Sequence, residues 1–180
     1  MRTLHRTLTS IATLVAVAGC LSTDQATGPS LSQSAKAVPR PLKGQCDTDV
    51  TILSIGADGR LELSIDYTCR LSHLGLTHNT VIQSVVPSGP PVNGLLPGIV
   101  NNTGAYVAAN GDRINSSFTG TGITNLADFS ARFEGTEHFL GGTGRFADAS
   151  GSAHIEGTAV LDPATGKGTA HFTMEGVITY

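Results

Sequence analysis

The chain has 180 residues, 11 basic and 14 acidic side chains, a net charge of -3 and no tryptophan. Its mildly acidic balance excludes the basic stripe that a nucleic-acid partner would require, and it excludes electrostatic adhesion to anionic lipid. Glycine is abundant at 22 residues, and no stretch beyond the N-terminal segment places apolar residues at i, i+3, i+4 and i+7 for three turns. The composition predicts an all-β fold.

Arg2 and Arg6 precede an apolar run from Leu8 to Ala18, too short to span a bilayer, which needs about 20 residues. The run ends in Leu14-Val15-Ala16-Val17-Ala18-Gly19-Cys20, the pattern of a bacterial lipoprotein signal with small residues ahead of the cysteine to be lipidated. Residues 1–19 are therefore read as a cleaved signal peptide and Cys20 as the acylated first residue of the mature protein. Without Arg2 and Arg6 the basic count falls from 11 to 9 against 14 acidic residues, a net charge of -5. Leu21 and Ser22, with no aspartate directly after Cys20, favour sorting to the outer membrane over the inner.

From Leu21 to Lys43 the chain is rich in Ser, Thr, Gln, Ala and Pro and lacks periodicity, so residues 20–43 are predicted to be a lipidated, flexible tether with an end-to-end distance of about 25 to 30 Å. Residues 44–180 then form one domain.

Leu61, Leu63, Ile65, Tyr67, Cys69 and Leu71 alternate with polar residues, and Val50, Ile52 and Ser54 share a face of the preceding segment. A four-residue turn at Gly56-Ala57-Asp58-Gly59 sets Ile55 opposite Arg60, Ile52 opposite Leu63, Val50 opposite Ile65 and Cys46 opposite Cys69. The register that buries the apolar face also brings the two thiols together. In an exported protein this predicts a Cys46–Cys69 disulfide, stabilising by roughly 3 to 4 kcal/mol.

Val85 to Asn102 contains Pro87, Pro90, Pro91 and Pro97, which predicts a long loop across one end of the fold. Asn110-Gly111 then predicts a tight hairpin from Tyr106 to Phe118, with Val107 opposite Ile114 and Thr103 opposite Phe118. Phe129, Ala131 and Phe133 alternate with Ser130, Arg132 and Glu134. After the glycine-rich stretch Gly141 to Gly151, a final hairpin turns at Asp162 to Gly166, with His154 opposite Glu175, Glu156 opposite Thr173 and Thr158 opposite His171. Those six residues are assigned to the outer face. Evenly spaced strands with tight turns predict a barrel or a sandwich.

Four segments together carry a family resemblance: Ser72-His73-Leu74-Gly75, Ala108-Ala109-Asn110-Gly111-Asp112, Gly141-Gly142-Thr143-Gly144-Arg145-Phe146-Ala147 with Ala149-Ser150-Gly151, and Gly176-Val177-Ile178-Thr179-Tyr180. In this order, over about residues 46–180, they resemble uncharacterised bacterial exported proteins similar to the allene oxide cyclase and dirigent barrels. The resemblance implies a calycin-like, eight-stranded antiparallel barrel and a homotrimer. It carries over no catalytic residue, because the polar residues those enzymes use have no matching positions here.

Gly142, Gly144 and Ala147 spell G-x-G-x-x-A, but no βαβ unit surrounds them, so a sharp bend at a barrel corner is the expectation, with Arg145 sealing that end. The five histidines of the mature chain, His73, His78, His138, His154 and His171, do not suggest a convergent metal set, and neither a metal nor a cofactor is expected. His73 and His78 flank Gly75 near a barrel mouth, and His138 lies close to Glu134. These four, His73, His78, Glu134 and His138, are the candidate polar groups of a ligand site. No nucleophile elbow, H-E-x-x-H or phosphate loop occurs. Phe118, Phe129, Phe133, Phe146, Phe172 and Tyr180 fall largely at inward positions, either filling a core or lining a ligand cavity. The leading expectation is a non-catalytic, lipid-anchored envelope barrel that binds a small apolar molecule or serves as a surface interaction module. The alternative is an isomerase or cyclase of a lipid-derived or phenolic substrate.

Overall fold

Alternation of apolar and polar residues, interrupted at regular intervals by turn-forming residues, closes this chain into a single sheet. The computed structural model describes residues 37–180; the segment expected to be a signal peptide and Cys20 lie outside them. Eight strands follow one another: β1 (Pro39–Ile55), β2 (Leu61–Leu71), β3 (Gly75–Pro87), β4 (Leu95–Ala108), β5 (Arg113–Asn125), β6 (Ser130–Gly142), β7 (Ser150–Asp162) and β8 (Lys167–Thr179). Each pairs antiparallel with the next and β8 returns to β1, so the eight-stranded barrel is closed, with the β3–β4 ladder interrupted between the His78–Val107 and Gln83–Asn102 pairs.

The first hairpin keeps the predicted pairs Ile52 with Leu63, Val50 with Ile65 and Cys46 with Cys69, and the two cysteines form a disulfide. Nearer the turn the register shifts at Leu53, so Ile55 faces Leu61 instead of Arg60. The extra residue is a bulge, and the Arg60 carbonyl accepts from Gly56 N–H inside the turn. The last hairpin has the predicted register, with His154, Glu156 and Thr158 opposite Glu175, Thr173 and His171, all six on the exposed face.

Three expectations are corrected. β1 begins at Pro39, so residues 39–43, assigned to the tether, belong to the barrel. Leu42 is buried, Ser72 N–H donates to the Lys43 carbonyl, and the His73 ring bonds the Pro41 carbonyl. A single buried leucine and backbone bonding fix a segment whose composition reads as linker.

Val85–Asn102 is not one loop, because β3 runs to Pro87 and β4 starts at Leu95. Pro97 is tolerated because its carbonyl faces Ser88, whose N–H it accepts, beyond the last β3–β4 pair, while on the other side it lies opposite Ile123 of β5. Its missing N–H points toward the frayed end of the ladder.

The β4–β5 hairpin is one residue out of the predicted register, with Val107 opposite Arg113, Tyr106 opposite Ile114 and Thr103 opposite Ser117. Only Gly111, at φ 87°, takes a positive φ, so the turn is a three-residue loop closed by bonds between Ala108 and both Gly111 and Asp112. One residue of slip exchanges the faces, and it is Tyr106, Ile114 and Phe118 that are buried.

The two poles differ. The turns after β2, β4 and β6 cluster at one pole, where a short 3₁₀ turn, Gly144–Phe146, inserts the fully buried Phe146. The Tyr180 ring packs edge-on against Phe146 with centroids 4.8 Å apart, and the Arg145 guanidinium lies 4.6 Å over its ring. Arg145 also donates to the His73 carbonyl at 2.8 Å, sealing this pole as predicted. The turns after β1, β3, β5 and β7 form the opposite pole, which remains open.

Candidate functional site: an apolar lumen with a buried carboxyl

From the open pole a cavity of ≈ 270 Å³ runs into the barrel. Its rim carries Ile55, Leu126 and Phe129, and its walls are the inward aliphatic residues of β1 to β4 together with Phe118, Phe133 and Phe172. The space exists because the inward positions of β5 to β8 combine bulky rings with very small residues. Ala131, Ala159 and Ala170 are consecutive cross-strand partners lining the wall. Gly120 and Gly135 stand opposite each other, and a Cβ on Gly135 would approach the Phe118 ring to 2.6 Å.

Deep in the lumen the lining turns polar. Tyr67 on β2 and Tyr106 on β4 stack with ring centroids 5.9 Å apart, and Glu137 on β6, across the barrel from β2, faces the same space. Only 2% of Glu137 is exposed. Burial pushes its carboxyl up to about 7, an effect that a hydrogen bond from Ser116 partly opposes. Burial, reinforced by Glu137, likewise raises both tyrosines, so each phenol stays protonated and able to donate. Glu137 Oε1 is buried without a hydrogen-bond partner, whereas Asn79, which bonds Tyr67, does not line the cavity.

The four candidate polar groups inferred from the sequence lie elsewhere. His73, in the β2–β3 turn, bonds the Pro41 carbonyl; His78 contacts Thr68 on the exterior; Glu134 and His138 are exposed on the outer face of β6. None faces the lumen. His171 meets Asp47 on the outside at 2.9 Å, and the Glu175 carboxylate meets Lys43 at 2.6 Å rather than His154. The Cys46–Cys69 disulfide sits deeper than the cavity and does not line it.

Glu137 was missed although its signal was present. The alternation that turns Phe133 inward continues through Gly135 and Glu137 to Phe139, so a carboxyl stands on an apolar face while His138 takes the polar one. The alternation of β2 likewise turns Tyr67 inward, whereas Tyr106 is inward only in the observed β4–β5 register.

Searches against protein-family models, curated proteins and solved structures returned no significant match. An apolar channel, closed at one end over hydrogen-bonding groups, can enclose the hydrocarbon part of a small molecule and orient its polar end.

Proposed function

We propose that the protein is an envelope-anchored carrier or receptor, holding a small apolar molecule in its lumen and tethered to the membrane, most simply the outer one, by acyl chains on Cys20. The observation that carries the binding half is the ≈ 270 Å³ apolar cavity, open at one pole and closed at the other by Phe146. A barrel needing only stability would fill this space, since each unfilled methyl-sized void costs about 1 kcal/mol. The anchoring half is supported by the residues that end on Cys20.

Two measurements test it. Titrating the mature protein with the apolar dye N-phenyl-1-naphthylamine should give saturable fluorescence that an added alkane competes away; a linear, non-saturable signal removes the binding reading. Cys20→Ala should move the protein from the membrane fraction to the soluble fraction, and unchanged fractionation removes the anchor.

Glu137 favours one second reading, an isomerase or cyclase of a lipid-derived or phenolic substrate. A buried carboxyl titrating near neutrality is suited to exchanging a proton with a bound molecule. A ligand recovered unchanged after long incubation supports carriage, whereas conversion that Glu137→Gln abolishes supports the enzyme.

A further inference from the structure

We infer that the deep end of the lumen recognises an uncharged, hydrogen-bond-accepting head group, and that the ligand is a medium-chain ketone, aldehyde or ester seated carbonyl-first against Glu137. This rests on the proposal that the lumen binds a small apolar molecule. Glu137 Oε1 is buried without a hydrogen-bond partner, and its residue lines the lumen. An unmade bond of this kind costs roughly 1 to 3 kcal/mol and is rare in folded proteins. Here Glu137 shares the lumen lining with Tyr67 and Tyr106, to which it is coupled electrostatically.

The groups share one chemical character. Two phenols and a protonated carboxyl can all donate, and a carbonyl oxygen can accept from them. No cation stands among them. Beside Glu137 the inward residues are Ser116 and Phe118 on β5 and Ala153 and Ile155 on β7, with Tyr67 and Tyr106 facing it. A carboxylate head would be buried without a counter-charge, at high cost. The cavity lies just below the usual range for ligand sites of about 300 to 1,000 Å³, which limits the ligand to a chain of medium length.

The test compares four probes of equal carbon number, 2-decanone, decane, decanoate and decylamine, by calorimetric titration into the mature protein at about pH 5.5 and about pH 8.5, either side of the Glu137 titration. The expected result is binding of the ketone about tenfold tighter than the alkane at the lower pH, the gain of one hydrogen bond, with the ratio falling toward about one at the higher pH. In Glu137→Gln, whose amide still donates but does not titrate, the tenfold ratio should persist at both pH values. In Glu137→Leu, which leaves only the phenols to donate, it should fall well below tenfold at both and lose its dependence on pH. A ketone-to-alkane ratio that ignores both pH and these substitutions overturns the inference, as does tighter binding of decanoate or decylamine than of the ketone. If decane itself fails to bind, the lumen-binding proposal falls with it, so the two failures are separable.

Discussion

Glu137 is a carboxyl whose stability contribution runs opposite to that of a surface carboxylate. Its folded pKa of about 7 lies above the ordinary 4.5. Between these values the folded protein holds a proton that the unfolded chain has released, so stability falls as pH rises through this window and levels off above about 7. The loss is roughly 3 kcal/mol, the upward displacement multiplied by the energy of one pKa unit. Glu137→Gln should remove this slope. Thermal melts from about pH 4 to about pH 8 are expected to show the variant flat across the window and more stable than the parent at the alkaline end. Parallel profiles for the two proteins would refute the assignment. The residue was legible in the sequence as a carboxyl on an apolar face, but a histidine one position away drew the attention. Recognising Glu137 required carrying the strand alternation through Gly135, where the inward position has no side chain to mark it.

At the scale of strands and turns, the chain announced its registers wherever apolar alternation and turn length agreed. They agreed in β1–β2 beyond the bulge and in β7–β8. In β4–β5 the Asn110-Gly111 signal was present, yet whether Ala109 joins the turn decides the register, and composition does not settle that; the observed φ at Gly111 does. Pro97 misled for a related reason, because which neighbour its absent N–H would face depends on pairing that the sequence does not display. Two consequences follow from the observed pairing. Removing the disulfide by the double substitution Cys46→Ala and Cys69→Ala should destabilise by about 3 kcal/mol, read as a lower denaturation midpoint, because it closes a loop between residues 23 apart. Since the cavity does not include this pair, binding of an apolar dye should survive at temperatures where the variant is folded. Gly135→Ala should cost on the order of 1 to 3 kcal/mol, more than an added methyl at a strand position with room for it, because the new Cβ meets the Thr119 carbonyl and the Phe118 ring. Equal stability of Gly135→Ala and the parent in urea titrations would show that Phe118 can move aside.

The barrel as a whole is asymmetric along its axis, and the proposed function rests on that asymmetry. One pole is packed through by Leu42, Phe146 and Ile178, with the disulfide just above them. The other half is kept open by alanines on three adjoining strands. Ala159 lies at the centre of that row, between Ala131 and Ala170, while its neighbour Thr158 points to solvent. Ala159→Phe places a ring in the empty space. Because the cavity exists already, the ring has somewhere to go, and stability should stay within about 1 kcal/mol of the parent or rise. Apolar-dye affinity should fall at least about tenfold, since roughly a phenyl's worth of lumen is lost to a site that depends on burying apolar surface. Thr158→Phe adds the same ring one residue earlier on the outer wall, and dye affinity there should match the parent. If both variants bind equally well, the ligand occupies the exterior and the lumen is not the site; if only the inward ring blocks binding, the open half of the barrel is where the molecule sits.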